Sequence, residues 1–99
     1  MQEALQRLER EITRAKQQKH DLMKVIHGYG SSGTGGDIRV AVQRRLQEMT
    51  NAGGIRGCIF GEDWSKSNDL AWRLVQSLSE LKGDADLGRR NPGITIVLL

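Results

Sequence analysis

Ninety-nine residues with 37% hydrophobic content suffice for one domain around one core, without two lobes and a cleft between them, so any site lies on a surface or in a loop. No apolar run approaches the roughly 20 residues of a bilayer span, and the opening MQEALQRLER is charged where a secretory signal would be apolar, which predicts a cytoplasmic protein without membrane contact. A single cysteine, Cys58, excludes an internal disulfide and a paired-thiol metal or redox centre, and a net charge of +3 permits an anionic partner.

Leu5, Leu8, Ile12 and Ala15 recur at helical spacing over residues 2–18, with charges on the other face, and predict an amphipathic helix. His20 falls in the polar link after it and reads as a surface residue. Leu22–Ile26 is a short apolar run suited to a buried strand, with His27 at its carboxyl end. The stretch Gly28-Tyr29-Gly30-Ser31-Ser32-Gly33-Thr34-Gly35-Gly36 is too rich in glycine for a regular element and predicts a loop. Asp37 opens a second helix with Ile38, Ala41, Val42, Leu46 and Met49 along one side, and Asn51-Ala52-Gly53-Gly54 ends it.

Ile55–Phe60 reads as a second strand, within which Cys58 is expected to be a buried, inert thiol. Ser67 or Asn68 caps a third helix with the face Leu70, Ala71, Leu74, Val75, Leu78 and Leu81, closed by Gly83. Trp72 is expected to pack rather than to stack on bases, and for Trp64 the two roles stand nearly even. Residues 84–91 form an ordered loop, and the turn Asn91-Pro92-Gly93 precedes an unbroken apolar strand, Ile94–Leu99.

A strand running through a glycine-rich loop into a helix aims several backbone N–H groups at one point, reinforced by the positive end of the helix dipole, and such a point binds an anion. Glycine lets the backbone come close to a phosphate, and Ser31, Ser32 and Thr34 add hydroxyl donors. Charge is distributed accordingly: residues 1–60 hold ten Lys/Arg against six Asp/Glu, and residues 61–99 five against six. Gly28–Gly33 matches the GxGxxG spacing, but a dinucleotide fold needs parallel strands that this length does not supply. Gly30–Gly36 has the glycine spacing of a Walker A loop, yet Gly36 stands where its lysine belongs, which argues against a nucleotide triphosphatase.

His27 is the acid-base group closest to the loop; phosphate binding or proton transfer is favoured over a role in merely holding the loop's shape. Arg39, in the first turn of the second helix, is placed to reach an anion held there. Arg44, Arg45, Arg89 and Arg90 read better as solvated, and Tyr29 is left open between stacking on a base and packing.

Val25-Ile26-His27-Gly28-Tyr29-Gly30, the run Gly35-Gly36-Asp37-Ile38-Arg39, and the closing Gly93-Ile94-Thr95-Ile96-Val97-Leu98 together resemble the Smr (small MutS-related) domain family, over residues 2–60 and 92–99. The resemblance implies a single α/β domain, 1–99: a two-layer α/β sandwich with a small mixed sheet, similar to the C-terminal domain of translation initiation factor 3. It implies nucleic-acid binding, DNA or RNA, and in some members endonuclease cleavage or nicking of phosphodiesters. By matched position His27, Gly28 and Gly30 correspond to the family's active loop and Thr34, Gly35 and Arg39 to its continuation, so His27 becomes the catalytic candidate; with the remaining loop residues Tyr29, Ser31, Ser32, Gly33 and Gly36, these glycines, Thr34 and Arg39 are the phosphate-binding candidates. No metal-ligand cluster or cofactor motif is encoded, so any cleavage is expected to be metal-independent.

The chain departs from the family pattern in three ways. The upstream L-D-x-H stretch on the family's first strand is absent, the glycine loop is longer, and residues 62–91 insert a helix. The alternatives to an endonuclease are therefore a non-catalytic RNA- or DNA-binding module and a protein-interaction domain working through an open sheet edge. A missing first strand also predicts such an edge, which a homodimer or the loop 84–91 would cover.

Overall fold

Leu8, Ile12 and Ala15 are the buried positions of the first helix, α1 (Gln2–Gln17), with Glu3 in its first turn and Arg14 and Lys16 in its last, charges that complement the helix dipole. These elements belong to a computed structural model, which describes residues 2–28 and 35–99. Helix α1 closes on a Schellman turn: the Lys19 N–H donates to the Lys16 carbonyl and the His20 N–H to that of Ala15, with Lys19 at a φ of 61°. Strand β1 (Leu22–Ile26) follows, and then α2 (Gly35–Asn51). Helix α2 ends on the same turn, this time with glycine at the left-handed position, Gly53 at a φ of 81°.

Strand β2 (Gly57–Phe60) leads through a 3-10 turn (Gly61–Asp63) to α3 (Asp69–Ser77), whose Ala71 N–H is capped by the Asn68 side chain at 3.0 Å. A second 3-10 turn (Ser79–Gly83) and the loop to residue 93 precede β3 (Ile94–Leu98).

The last strand lies in the middle, in the order β1-β3-β2. Its sequence, apolar at every position but Thr95, follows from that position, since all five of its residues are buried and both of its faces are covered. Val97 points to the face covered by α1 and α2, among Leu8, Ile12, Val42, Leu46 and the half-buried Met23 and Val25. Ile94, Ile96 and Leu98 point the other way, into a cluster with Ile59, Trp64, Ala71 and Val75.

The chain is thus an α/β domain in which α1, α2 and the sheet make the two expected layers. The segment 61–93, where a helical insertion was expected, covers the opposite face. Both ladders are antiparallel; β1 and β2 run parallel to each other but never meet, so the sheet is not mixed in its pairing.

Several expectations shift. Helix α2 starts at Gly35, two residues before Asp37, and β2 starts at Gly57, because Ile55 turns into the α1–α2 core instead of joining the ladder. Helix α3 stops at Ser77, where Leu78 takes an extended conformation, and does not run on to Gly83. Trp72 does not pack into the core: it is 37% exposed, whereas Trp64 is fully buried and its Nε1–H donates to Asp84 Oδ2 at 2.9 Å, which removes it as a stacking platform. Cys58 is half-buried, and desolvation pushes its thiol above the usual range, consistent with an unreactive side chain.

Candidate functional site

His27 leaves β1 on the α1–α2 face of the sheet, beside the central strand. Its Nδ1 lies 2.7 Å from the Gly28 carbonyl, which only accepts, so Nδ1 carries the proton. Its Nε2 lies 3.0 Å from Thr95 Oγ1, so in the neutral ring the buried hydroxyl donates to Nε2. Thr95 is the one polar side chain in β3, and this bond satisfies it. The imidazole is half-buried and engaged at both nitrogens.

The backbone here is committed as well. The His27 and Gly28 N–H groups both donate to the Gly93 carbonyl at 3.0 Å, and Gly28 sits at a φ of 76°, a turn that suits glycine. The amide of Gly28 is therefore not free to meet a phosphate. Gly35 and Gly36 supply the opening backbone of α2, whose first N–H groups have no partners within the helix. Tyr29, Gly30, Ser31, Ser32, Gly33 and Thr34 lie outside the described residues.

Gly93 is itself placed by the segment before β3. Its N–H donates to Asn91 Oδ1 at 2.9 Å, the Asn91 amide donates to Asp86 Oδ1 at 3.1 Å, and Asp86 and Asp84 take the Lys24 ammonium at 2.6 and 2.7 Å. Burial alone would lower the Lys24 value, but the two carboxylates outweigh it and hold the ammonium above its ordinary range. Burial would likewise raise Asp84, yet Lys24 and the Trp64 indole bring it below the carboxylate range, and Lys24 and Asn91 do the same for Asp86. A chain of contacts thus runs from the far face of the sheet, through residues 84–93, to the root of the glycine loop.

Arg39 does not stand free as an anion contact. Its guanidinium pairs with Glu62, in the 3-10 turn after β2. Arg39 Nε, Gln43 Nε2 and Glu62 Oε1 are buried without partners among the described residues, a grouping of unmet polar atoms where α2 begins. Arg45 pairs with Glu9 and is not simply solvated, whereas Arg44, Arg89 and Arg90 are exposed as expected.

Sequence reasoning missed Thr95, Gly93, Asn91 and Glu62. The signal for Thr95 was its hydroxyl within an otherwise apolar strand. It also missed Arg7, Arg10 and Arg14, spaced three and four apart along α1, exposed and in no ion pair among the described residues.

Fold and site together define a class: an α/β domain in which an edge strand ends in a histidine, turns on glycine and re-enters the fold through a helix N-terminus. The model of the Smr domain family matches residues 1–57, and the chain belongs to that family. The match spans α1, β1, α2 and the start of β2, so the likeness of the closing strand lies beyond it. Searches of curated proteins and of solved structures found no match, and no solved structure adds to the likeness to translation initiation factor 3.

Proposed function

We propose that this Smr domain binds nucleic acid through its phosphate backbone, with the loop between Gly28 and Gly36 and the opening amides of α2 as the contact. The observation that carries the reading is that β1 ends in the His27–Gly28 turn and the next described element is a helix opening on Gly35, in a chain of a family with nucleic-acid-binding and nuclease-like character. Arg10 and Arg14, exposed on α1, supply positive charge and are in no ion pair among the described residues. His27, held at both ring nitrogens, is a positioning residue in this reading: it fixes the turn from which the loop departs.

Cleavage is a finer step. It requires the imidazole to release Thr95 so that Nε2 accepts a proton from a nucleophile. Anisotropy titrations with labelled structured RNA and duplex DNA over a salt series test the binding. The affinity is expected to fall linearly with salt on logarithmic axes, with Arg10→Gln/Arg14→Gln flattening the slope by about 2. Absence of binding to either polymer, or affinity indifferent to salt, removes the proposal. Incubation of the same substrates with wild type and His27→Ala, with and without chelator, separates cleavage from binding.

A further inference from the structure

We infer that two copies of this chain associate through the free edge of β1, strand against strand about a two-fold axis at Lys24. The pairing of β1 with β3 fixes which backbone groups are free. Asp21 accepts from the Leu99 N–H and His27 donates to the Gly93 carbonyl, so the odd-numbered residues between them face β3. Leu22, Lys24 and Ile26 then point their N–H and C=O groups outward, six in all, and none of these finds a partner among the described residues. The edge opens onto a groove of about 470 Å³ walled by Ala4, Arg7, Leu8 and Glu11 of α1, with five consecutive residues, Met23–His27, along its floor. Consecutive lining is the mark of exposed backbone, because alternate side chains point to opposite faces.

The three outward residues are symmetric about Lys24, which is why a second copy is the fitting occupant. Antiparallel self-pairing sets Leu22 against Ile26 of the other copy and Lys24 against itself, so all six free groups are satisfied at each edge. Ile26 is 79% exposed, the most exposed large hydrophobic side chain described, and gains an apolar neighbour in Leu22. Lys24 falls on the axis, and in each copy its ammonium is engaged by Asp84 and Asp86 of its own protomer, so no bare ammonium faces its counterpart. Arg7 and Glu11 give the groove wall both signs of charge. The inference stands apart from the nucleic-acid reading.

Sedimentation of the full chain, with amide hydrogen exchange followed by NMR, tests it. The expected result is a dimer of twice the 11.0 kDa protomer, in which the Leu22, Lys24 and Ile26 amides slow as concentration rises. Ile26→Pro removes an outward N–H that β3 does not use, and Ile26→Glu changes only the exposed side chain; each is expected to weaken association about 100-fold with the circular dichroism of a folded chain. Trp72→Glu, at the exposed tryptophan of α3, is expected to leave association unchanged. A monomer at every concentration overturns the inference. So does a dimer that is as tight with Ile26→Pro, or one in which those three amides exchange as fast as in the monomer.

Discussion

At Gly61 a single hydrogen decides whether the fold closes. A Cβ there would stand 1.7 Å from the Asn91 carbonyl oxygen and 2.8 Å from that of Ile94, both backbone atoms with no freedom to withdraw. Gly61→Ala is expected to destabilise the domain by roughly 3 kcal/mol or more, read from urea unfolding, because overpacking against backbone forces strands apart. Thr95→Val is milder. It keeps the volume in the core and deletes the hydroxyl that holds His27 Nε2, so about 1 kcal/mol of stability should be lost and the imidazole resonances should move while the rest of the spectrum stays. The position of His27 at the strand end was legible from the sequence, since an apolar run followed by glycines marks where the side chain leaves the sheet. Its restraint by Thr95, 68 residues on, was not: only the topology that puts β3 beside β1 brings the two together. Arg39 fell short for the same reason, because Glu62 comes from a turn whose approach to α2 is set by tertiary packing.

Among the elements, the two helix ends provide an internal comparison. Helices α1 and α2 close on the same Schellman turn, one with Lys19 and the other with Gly53 at the left-handed position. Replacing Lys19 by glycine relieves the Cβ clash of that conformation, and a gain of about 0.5–1 kcal/mol is expected in thermal or urea unfolding. The segment 84–91 is fastened to β1 by Lys24, and the signs of the shifts give the pH response. Asp84 and Asp86 are depressed in the folded state, so their contribution is present above the ordinary carboxylate value of about 3.9 and drains away as pH falls below it through the depressed values. Lys24 is raised, so its share persists up to about pH 10.4 and is lost as pH climbs through the raised value. Unfolding of wild type against Lys24→Met across acid pH checks this; the variant is expected to be less stable near neutrality by about 1–2 kcal/mol, with a flatter acid limb. Helix and strand identities were readable from periodicity, and β1 agrees with its expected span to the residue. Ends set by packing were not: α3 stops early because Leu78 turns extended, and Ile55 is drawn from β2 into the α1–α2 core.

For the molecule as a whole, putting the last strand at the centre explains why it is the most apolar one and why β1 and β2 are left as the edges. The layer of α1 and α2 carries the family-matched sequence, while residues 61–93 cover the back of the sheet and fix Gly93, the acceptor that anchors the glycine loop. No helix of the described residues is long and apolar enough to cross a membrane. Helices pack on both faces of a single sheet, and the order of elements was legible from hydrophobic periodicity together with the glycine, asparagine and proline residues that mark the breaks after β1. What the sequence left hidden is which strands become the edges, since strand order depends on contacts between distant segments. The central proposal is a phosphate site made by the loop and the helix N-terminus, and its most direct test is an amide-resolved NMR titration with a short structured RNA and with a DNA duplex at low salt. Shifts concentrated between His27 and Arg39, reversed by added salt, are the expected result. Shifts elsewhere on the surface with that segment unmoved would contradict it.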